Sequence, residues 1–453
     1  MLHILRTHPK STYQMKYKLY IPENFDLNKL KLVHNPEFNF HDYKVFYILN
    51  LMYIIPCQDN LDFESLKDWV PINTTLLQEV GIRDFPKYKE WLIKCGVLEC
   101  DESYTPNEQS RLYKFTTKYK TKISGVYINK KSFINKISEM LTPFYNDALD
   151  NAELSIWFLK LRIDKEKSLR HLERKYIEDK KQDEIKANNK FNSGKINVER
   201  INDGVFFFNI DQTSGRLHTN LTNLQSDLRN FITYNGEKLV SLDFRNSQPF
   251  MGLCLFSEKF WNNKVKTQIT INTILNNTTN NLTINTPTPL MLAEMKSSDI
   301  DSYISLVCSG MFYDKIQEEM LNFANPITFK SRRELKSKVF SVIYAKNHYT
   351  GRIKTFLEEN FHNVMSMFSF IKKDNYKTLS LLLQSIESEL FVNRFAKRIS
   401  ERGIVLFTIH DSIVTTLENE IIVKEIMLEE AERSIGYLPT IHNDYWRSNS
   451  AIV

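Results

Sequence analysis

"KLVSLDFRNSQPFMGLCLF", residues 238–256, begins as an apolar strand and places one carboxylate, Asp243, where that strand should end. Arg245, Asn246 and Gln248 follow before the chain turns apolar again. An isolated buried carboxylate costs on the order of several kcal/mol, so it persists where a metal or another cation compensates it. A second stretch, "GIVLFTIHDSIVTT" at 403–416, repeats the arrangement, with Asp411 after a β-branched run and His410. Two strand ends that each carry one Asp are what a two-metal site needs.

The chain around these strands has 453 residues, too many for one ordinary core, and two or three domains are expected. With 42% hydrophobic and 25% charged residues it is globular rather than disordered. Its net charge of +6 is compatible with a polyanionic partner but does not demand one. Cys57, Cys95, Cys100, Cys254 and Cys308 are scattered and form no CxxC pair, which excludes a structural zinc site of that kind and suits a reducing compartment. No apolar run reaches the roughly 18 residues of a membrane span, and the first residues lack the apolar core of a secretory signal. The expected location is cytoplasmic, in a bacterial or viral-host cytosol.

Residues 1–40 show no clear period and are expected to be an irregular arm. From 41 the pattern turns helical: "HDYKVFYILNLMYII", then "VPINTTLLQEVG" with Asn73 and Thr74 as caps, then "FPKYKEWLIKCG" opened by Pro86 and closed by Gly96. "VLECDESYTPNEQSRLYKFTTKYKTK" reads as a hairpin. Three short helices and a hairpin over 41–130 resemble a winged helix-turn-helix domain. Arg111, Lys114, Lys118, Lys120 and Lys122 interleaved with aromatics would suit phosphates there, and a small helical domain with a solvated basic face is the equal alternative. Residues 131–204 mix both charge signs at i, i+4 spacing, which marks one or two long exposed helices, thumb-like if the next domain binds a duplex. The Asn- and Thr-rich stretch 262–290 reads as a polar surface insertion.

Four segments of the C-terminal half carry a resemblance: "DQTSGRLHTNLTNLQSDLRNF", "SLDFRNSQPF", "SRRELKSKVFSVIYAKN" and "FTIHDSI". By content and order they resemble the family A DNA polymerases and, more distantly, the single-subunit RNA polymerases of phages and mitochondria. The resemblance implies an α+β fold over 205–453: a right-hand polymerase palm built on an antiparallel sheet, helical fingers and a reduced helical thumb, preceded by the winged-helix-like domain. It also implies template-directed nucleotidyl transfer, with Asp243, Asp411 and the backbone carbonyl of Phe244 holding two Mg²⁺ ions, for which Mn²⁺ can substitute. Arg332, Lys336, Phe340 and Tyr344 recur every four residues and form one helical stripe. In the family such a stripe grips the incoming triphosphate and stacks near base and sugar. Arg216, Asn223, Gln384 and His410 would contact the primer-template duplex.

Three departures bear on substrate. Gln248 stands where the DNA polymerases place a Glu that excludes a 2′-hydroxyl, and "DFRNSQP" can also be aligned with Ser247 there. Ser412 after Asp411 looks more like the RNA enzymes, whereas Phe340 favours the DNA side. The primary expectation is a primer-extending DNA polymerase of a phage, plasmid or other mobile element, with DNA and nucleoside triphosphates as partners. An RNA polymerase or primase using the same site, with RNA as a partner, is one alternative. A non-catalytic DNA-binding initiator that keeps the palm as scaffold is the other.

Overall fold

The computed structural model describes residues 16–57, 68–101, 111–262, 267–277, 283–294, 298–323 and 326–446. The start of the arm (1–15), the expected hairpin turn (102–110) and parts of the insertion (263–266, 278–282) lie outside the described residues. The chain divides into two compact units, one of Met1–Phe208, His218–Gly236 and Arg447–Val453, the other of Asn209–Leu217 and Glu237–Trp446. Among the described residues no helix is long and apolar enough to cross a membrane.

In the first unit the described part of the arm is ordered rather than irregular. Strand β1 (Tyr17–Pro22) pairs antiparallel with β4 (Ile123–Ile128), from Tyr17↔Ile128 to Pro22↔Ile123. Helix α1 (Leu27–Val33) starts at Asp26, whose carboxylate accepts from the Lys29 amide at 3.0 Å. Local periodicity misses β1 because its partner lies about a hundred residues downstream. Then come α2 (Asp42–Ile54), α3 (Thr74–Glu79), capped by Asn73, and α4 (Phe85–Lys94) with Pro86 in its first turn. Strands β2 (Leu98–Asp101) and β3 (Leu112–Phe115) pair with each other, and β3 also pairs with Val70–Pro71.

Three of the lysines expected to face phosphates have partners within the unit: Lys114 with Glu99 at 2.9 Å, Lys120 with Asp68 at 2.9 Å and Lys122 with Glu173 at 2.5 Å. The charged stretch that follows forms two packed helices, α5 (Lys165–Asp179) and α6 (Glu184–Asn202). Helix α5 is solvated as expected, with only Ser168 and Leu172 buried, but α6 is not. Phe191, Ile196, Val198 and Ile201 of α6 are buried, and Asn192 satisfies the Ile123 amide and the Thr121 carbonyl at 3.0 and 2.9 Å. Helices α5 and α6 touch at Gly194, where a Cβ would stand 2.6 Å from Leu172 Cδ2.

The second unit is built on a four-stranded antiparallel sheet. Its strands are β5 (Leu239–Phe244), β6 (Phe407–Ile409), β7 (Ser412–Thr416) and β8 (Ile441–Tyr445), in the order β6-β7-β5-β8. Helices α7 (Ser247–Met251), α8 (Phe312–Leu321), α9 (Arg332–Ile343), α10 (His362–Ile371) and α11 (Thr378–Ser388) accompany it. Helix α11 runs on into a π-helical segment, Glu389–Phe395, whose Phe391 and Phe395 pack against Phe244. Residues 267–277 of the insertion are less peripheral than its polar composition implies. Ile269, Ile271 and Ile274 are buried, and the Ile269 amide donates to the Ser434 carbonyl at 2.9 Å.

Candidate active site

The sheet's central pair, β5 and β7, brings together carboxylates that are far apart in sequence. Asp243 is the penultimate residue of β5, directly opposite Ser412, the residue after Asp411, and opposite His442 on its other side. Asp411 lies in the two-residue turn between β6 and β7, and its carbonyl accepts from the Phe244 amide at 3.3 Å. The turn is tight because His410 takes a left-handed backbone, φ 50°, which His tolerates better than the β-branched residues around it. His410 itself is exposed.

The pair is electrostatically loaded. Burial raises the Asp411 carboxyl to about 7, with the charges of Glu387 and Asp243 adding to the effect. Asp243 is also raised, first by burial and then by Asp444, against relief from the hydroxyls of Ser412 and Ser241 and from His442. Both side chains keep a partly open face. Among the described residues no group of three or more His, Cys, Asp or Glu side chains could hold a metal. The two carboxylates and a nearby backbone carbonyl are an oxygen-only donor set, which fits a hard ion such as Mg²⁺ better than zinc, and a divalent cation would relieve their repulsion.

Helix α9 supplies the cations. Ser331 caps it and accepts from the Glu334 amide at 3.2 Å, while Glu334 reaches back to the Lys330 amide at 2.7 Å. Leu335, Val339, Val342 and Ile343 form the buried face, and Arg332, Lys336, Phe340 and Tyr344 run half-buried along its edge. Burial and Arg332 lower the Lys336 ammonium, and the negative charge of Asp411 partly offsets that. Arg332 is paired with Asp314 at 3.1 Å, and the Phe340 and Tyr344 rings stack with centroids 5.7 Å apart.

A second cluster forms around Glu387, an acid that the sequence reading passed over. Arg216 donates to it from Nη2 at 2.6 Å, Ser247 Oγ at 3.2 Å, and Gln248 Nε2 also donates. The Tyr344 hydroxyl donates to Gln248 Oε1 at 3.0 Å. Gln248, rather than Ser247, is therefore the side chain against Tyr344. Asn246 permits this by turning the chain from β5 into α7 with φ 59°. Asp211 shapes the Arg216 loop by accepting from the amides of Thr213, Ser214 and Arg216 at 2.8, 2.7 and 3.1 Å. Gln384 is half-buried on α11. Asn223 belongs to the first unit, where its carbonyl accepts from Asn197 at 3.1 Å.

Glu387 carries a signal in the sequence. No cation stands three or four positions away on its helix, where Leu383, Gln384, Leu390 and Phe391 lie, so a buried acid there needs a remote partner.

No protein-family model and no curated protein match the sequence. Among solved structures the chain is similar to one described as "POL domain of Pol1 from M. smegmatis complex with DNA primer-template and dNTP". The TM-score is 0.41 at 9% identity, over 70% of this chain and 74% of that one. The chain is a mixed helix-and-sheet protein with that DNA polymerase domain as a distant structural neighbour.

Proposed function

We propose that the chain is a metal-dependent nucleotidyltransferase of the family A DNA polymerase kind, which extends a primer on a DNA template. The observation that carries this is the Asp243–Asp411 pair: two carboxylates from remote segments, one on β5 and one in the turn that enters the neighbouring β7, with burial raising the proton affinity of both, Asp243 adding to that of Asp411, and the Lys336 ammonium sensing Asp411. Acids held together at an energetic cost are a functional signature rather than a scaffold's. On this reading Asp243, Asp411 and the Phe244 carbonyl hold Mg²⁺. When bound, the ions supply charge stabilisation to the attacking and leaving oxygens. Lys336 and Arg332 neutralise the triphosphate, Phe340 and Tyr344 line the nucleotide, and Arg216, Asn223, Gln384 and His410 serve the duplex. Residues 205–453 act as palm and fingers, 131–204 as a thumb-like region and 41–130 as a winged-helix-like accessory domain.

Primer extension with labelled dNTPs and rNTPs, supplied separately with and without Mg²⁺ or Mn²⁺, tests this directly. Asp243→Ala and Asp411→Ala should each abolish incorporation while duplex binding, followed by anisotropy, is retained. Full activity in either variant would remove the assignment. Incorporation of rNTPs alone would make the chain an RNA polymerase or primase, and duplex binding with no incorporation would make it an initiator.

A further inference from the structure

Glu387 has no part in the roles just assigned, yet it is buried and closely surrounded by donors. It is 2% exposed on α11, and donors from two other segments converge on its carboxylate. Oε1 accepts from Arg216 Nε at 3.2 Å and Nη2 at 2.6 Å, and Oε2 accepts from Ser247 Oγ at 3.2 Å and from Gln248 Nε2. A carboxylate only accepts, so the nitrogen end of the Gln248 amide must face it. The oxygen end is then left for the Tyr344 hydroxyl, which donates to it at 3.0 Å. Glu387 thus dictates which way round Gln248 sits and where the Tyr344 proton points, from a buried position of its own.

We infer that Glu387 is the positioning residue for sugar selection, holding the neutral Gln248–Tyr344 pair in one orientation from a layer behind it. This rests on the nucleotidyl-transfer reading above. With Gln248 held at both ends, its amide cannot turn to satisfy a 2′-hydroxyl brought against it, and a ribonucleotide must bury that group poorly paired. Releasing Gln248 frees a donor and an acceptor that can meet the extra hydroxyl. Loss of Glu387 therefore acts on ribonucleotides selectively, whereas a merely structural residue would weaken both sugars alike.

A charge exchange tests this in the full-length protein. Glu387→Gln is nearly isosteric and keeps an oxygen for Arg216, but it can place an N–H against the Gln248 amide nitrogen and so favours a flipped Gln248. Gln248→Glu sets two carboxylates against each other. In the double variant Q248E/E387Q the new acid at 248 accepts from the new amide at 387 and from Tyr344, so the pattern of donors and acceptors closes again. The quantity measured is the ratio of kcat/KM for a dNTP to that for the matching rNTP on one primer-template. Each single variant should lower this ratio about tenfold, equivalent to ~1.4 kcal/mol, and the double variant should recover most of it. Single variants that slow both sugars equally, or a double variant no better than the singles, would overturn the role of Glu387 while leaving nucleotidyl transfer intact. Absence of incorporation by the unmodified protein with either sugar would overturn both.

Discussion

Asp411 shows what it costs to place an acid for chemistry rather than for stability. Its proton affinity is raised by burial, then by Glu387 and Asp243, so the folded protein holds a proton up to about 7 that an unfolded chain releases near the usual carboxylate range of about 3.9. Between those values the native state binds more protons than the unfolded state, so this group's contribution to stability falls as pH rises and stays unfavourable above 7. Asp411→Asn should therefore make the metal-free protein more stable than the parent at pH 8, with the difference shrinking to nothing near pH 4. Urea unfolding in EDTA across that range measures it, and equal stabilities at pH 8 would show that the carboxylate is not strained. Divalent-ion binding should strengthen as pH rises through about 7, because ions compete with that proton. At this scale Asp243 and Asp411 were legible because a carboxylate ending an apolar strand is anomalous in its own local sequence. Glu387 was harder to see because the donors that explain it, Arg216, Ser247 and Gln248, come from distant segments.

Helix α9 was legible, since its four-residue stripe is a local pattern, and its end exposes a dependence that no local pattern carries. Lys372, 5% exposed just past α10, donates to the carbonyls of Ile343 at 2.6 Å and Ala345 at 2.9 Å, on either side of Tyr344. Burial, with help from Lys354, lowers its ammonium to about 8. The group thus tolerates desolvation to hold one carbonyl at the end of α9 and one just past it, where a cation also suits the helix dipole. Lys372→Met should leave both carbonyls short of a donor and destabilise the second unit by about 1–3 kcal/mol. It should also raise the nucleotide KM more than it lowers kcat, because Tyr344 loses its backbone anchor. Thermal unfolding and steady-state kinetics check the two halves, and an unchanged melting temperature would show that water replaces the lysine. The elements that escaped the sequence reading share one cause. Strand β1 and the buried face of α6 are defined by each other's neighbourhood, through the β1–β4 ladder and the Asn192 bonds to Thr121 and Ile123, and not by their own periodicity.

For the whole molecule, two compact units on one chain imply that unfolding is not two-state. Calorimetry should resolve more than one transition, and two perturbations assign them. Gly194→Ala inserts a Cβ 2.6 Å from Leu172 Cδ2 in the first unit, an overpacking worth about 1–3 kcal/mol, and should lower only the transition of that unit. Mg²⁺ or Mn²⁺ should act on the other transition, because the only carboxylates proposed to hold it, Asp243 and Asp411, belong to the second unit. An ion that binds the native state alone stabilises it by RT ln(1 + [L]/Kd), about 2.7 kcal/mol at a hundredfold excess over Kd. Asp243→Asn should abolish the metal-dependent rise without removing the transition itself, since the amide keeps the strand's shape but loses the anionic oxygen that a hard cation prefers. The same variant should make both transitions insensitive to EDTA. A rise that survives Asp243→Asn, or one that appears in the transition lowered by Gly194→Ala, would place the ion elsewhere and take the two-aspartate site with it.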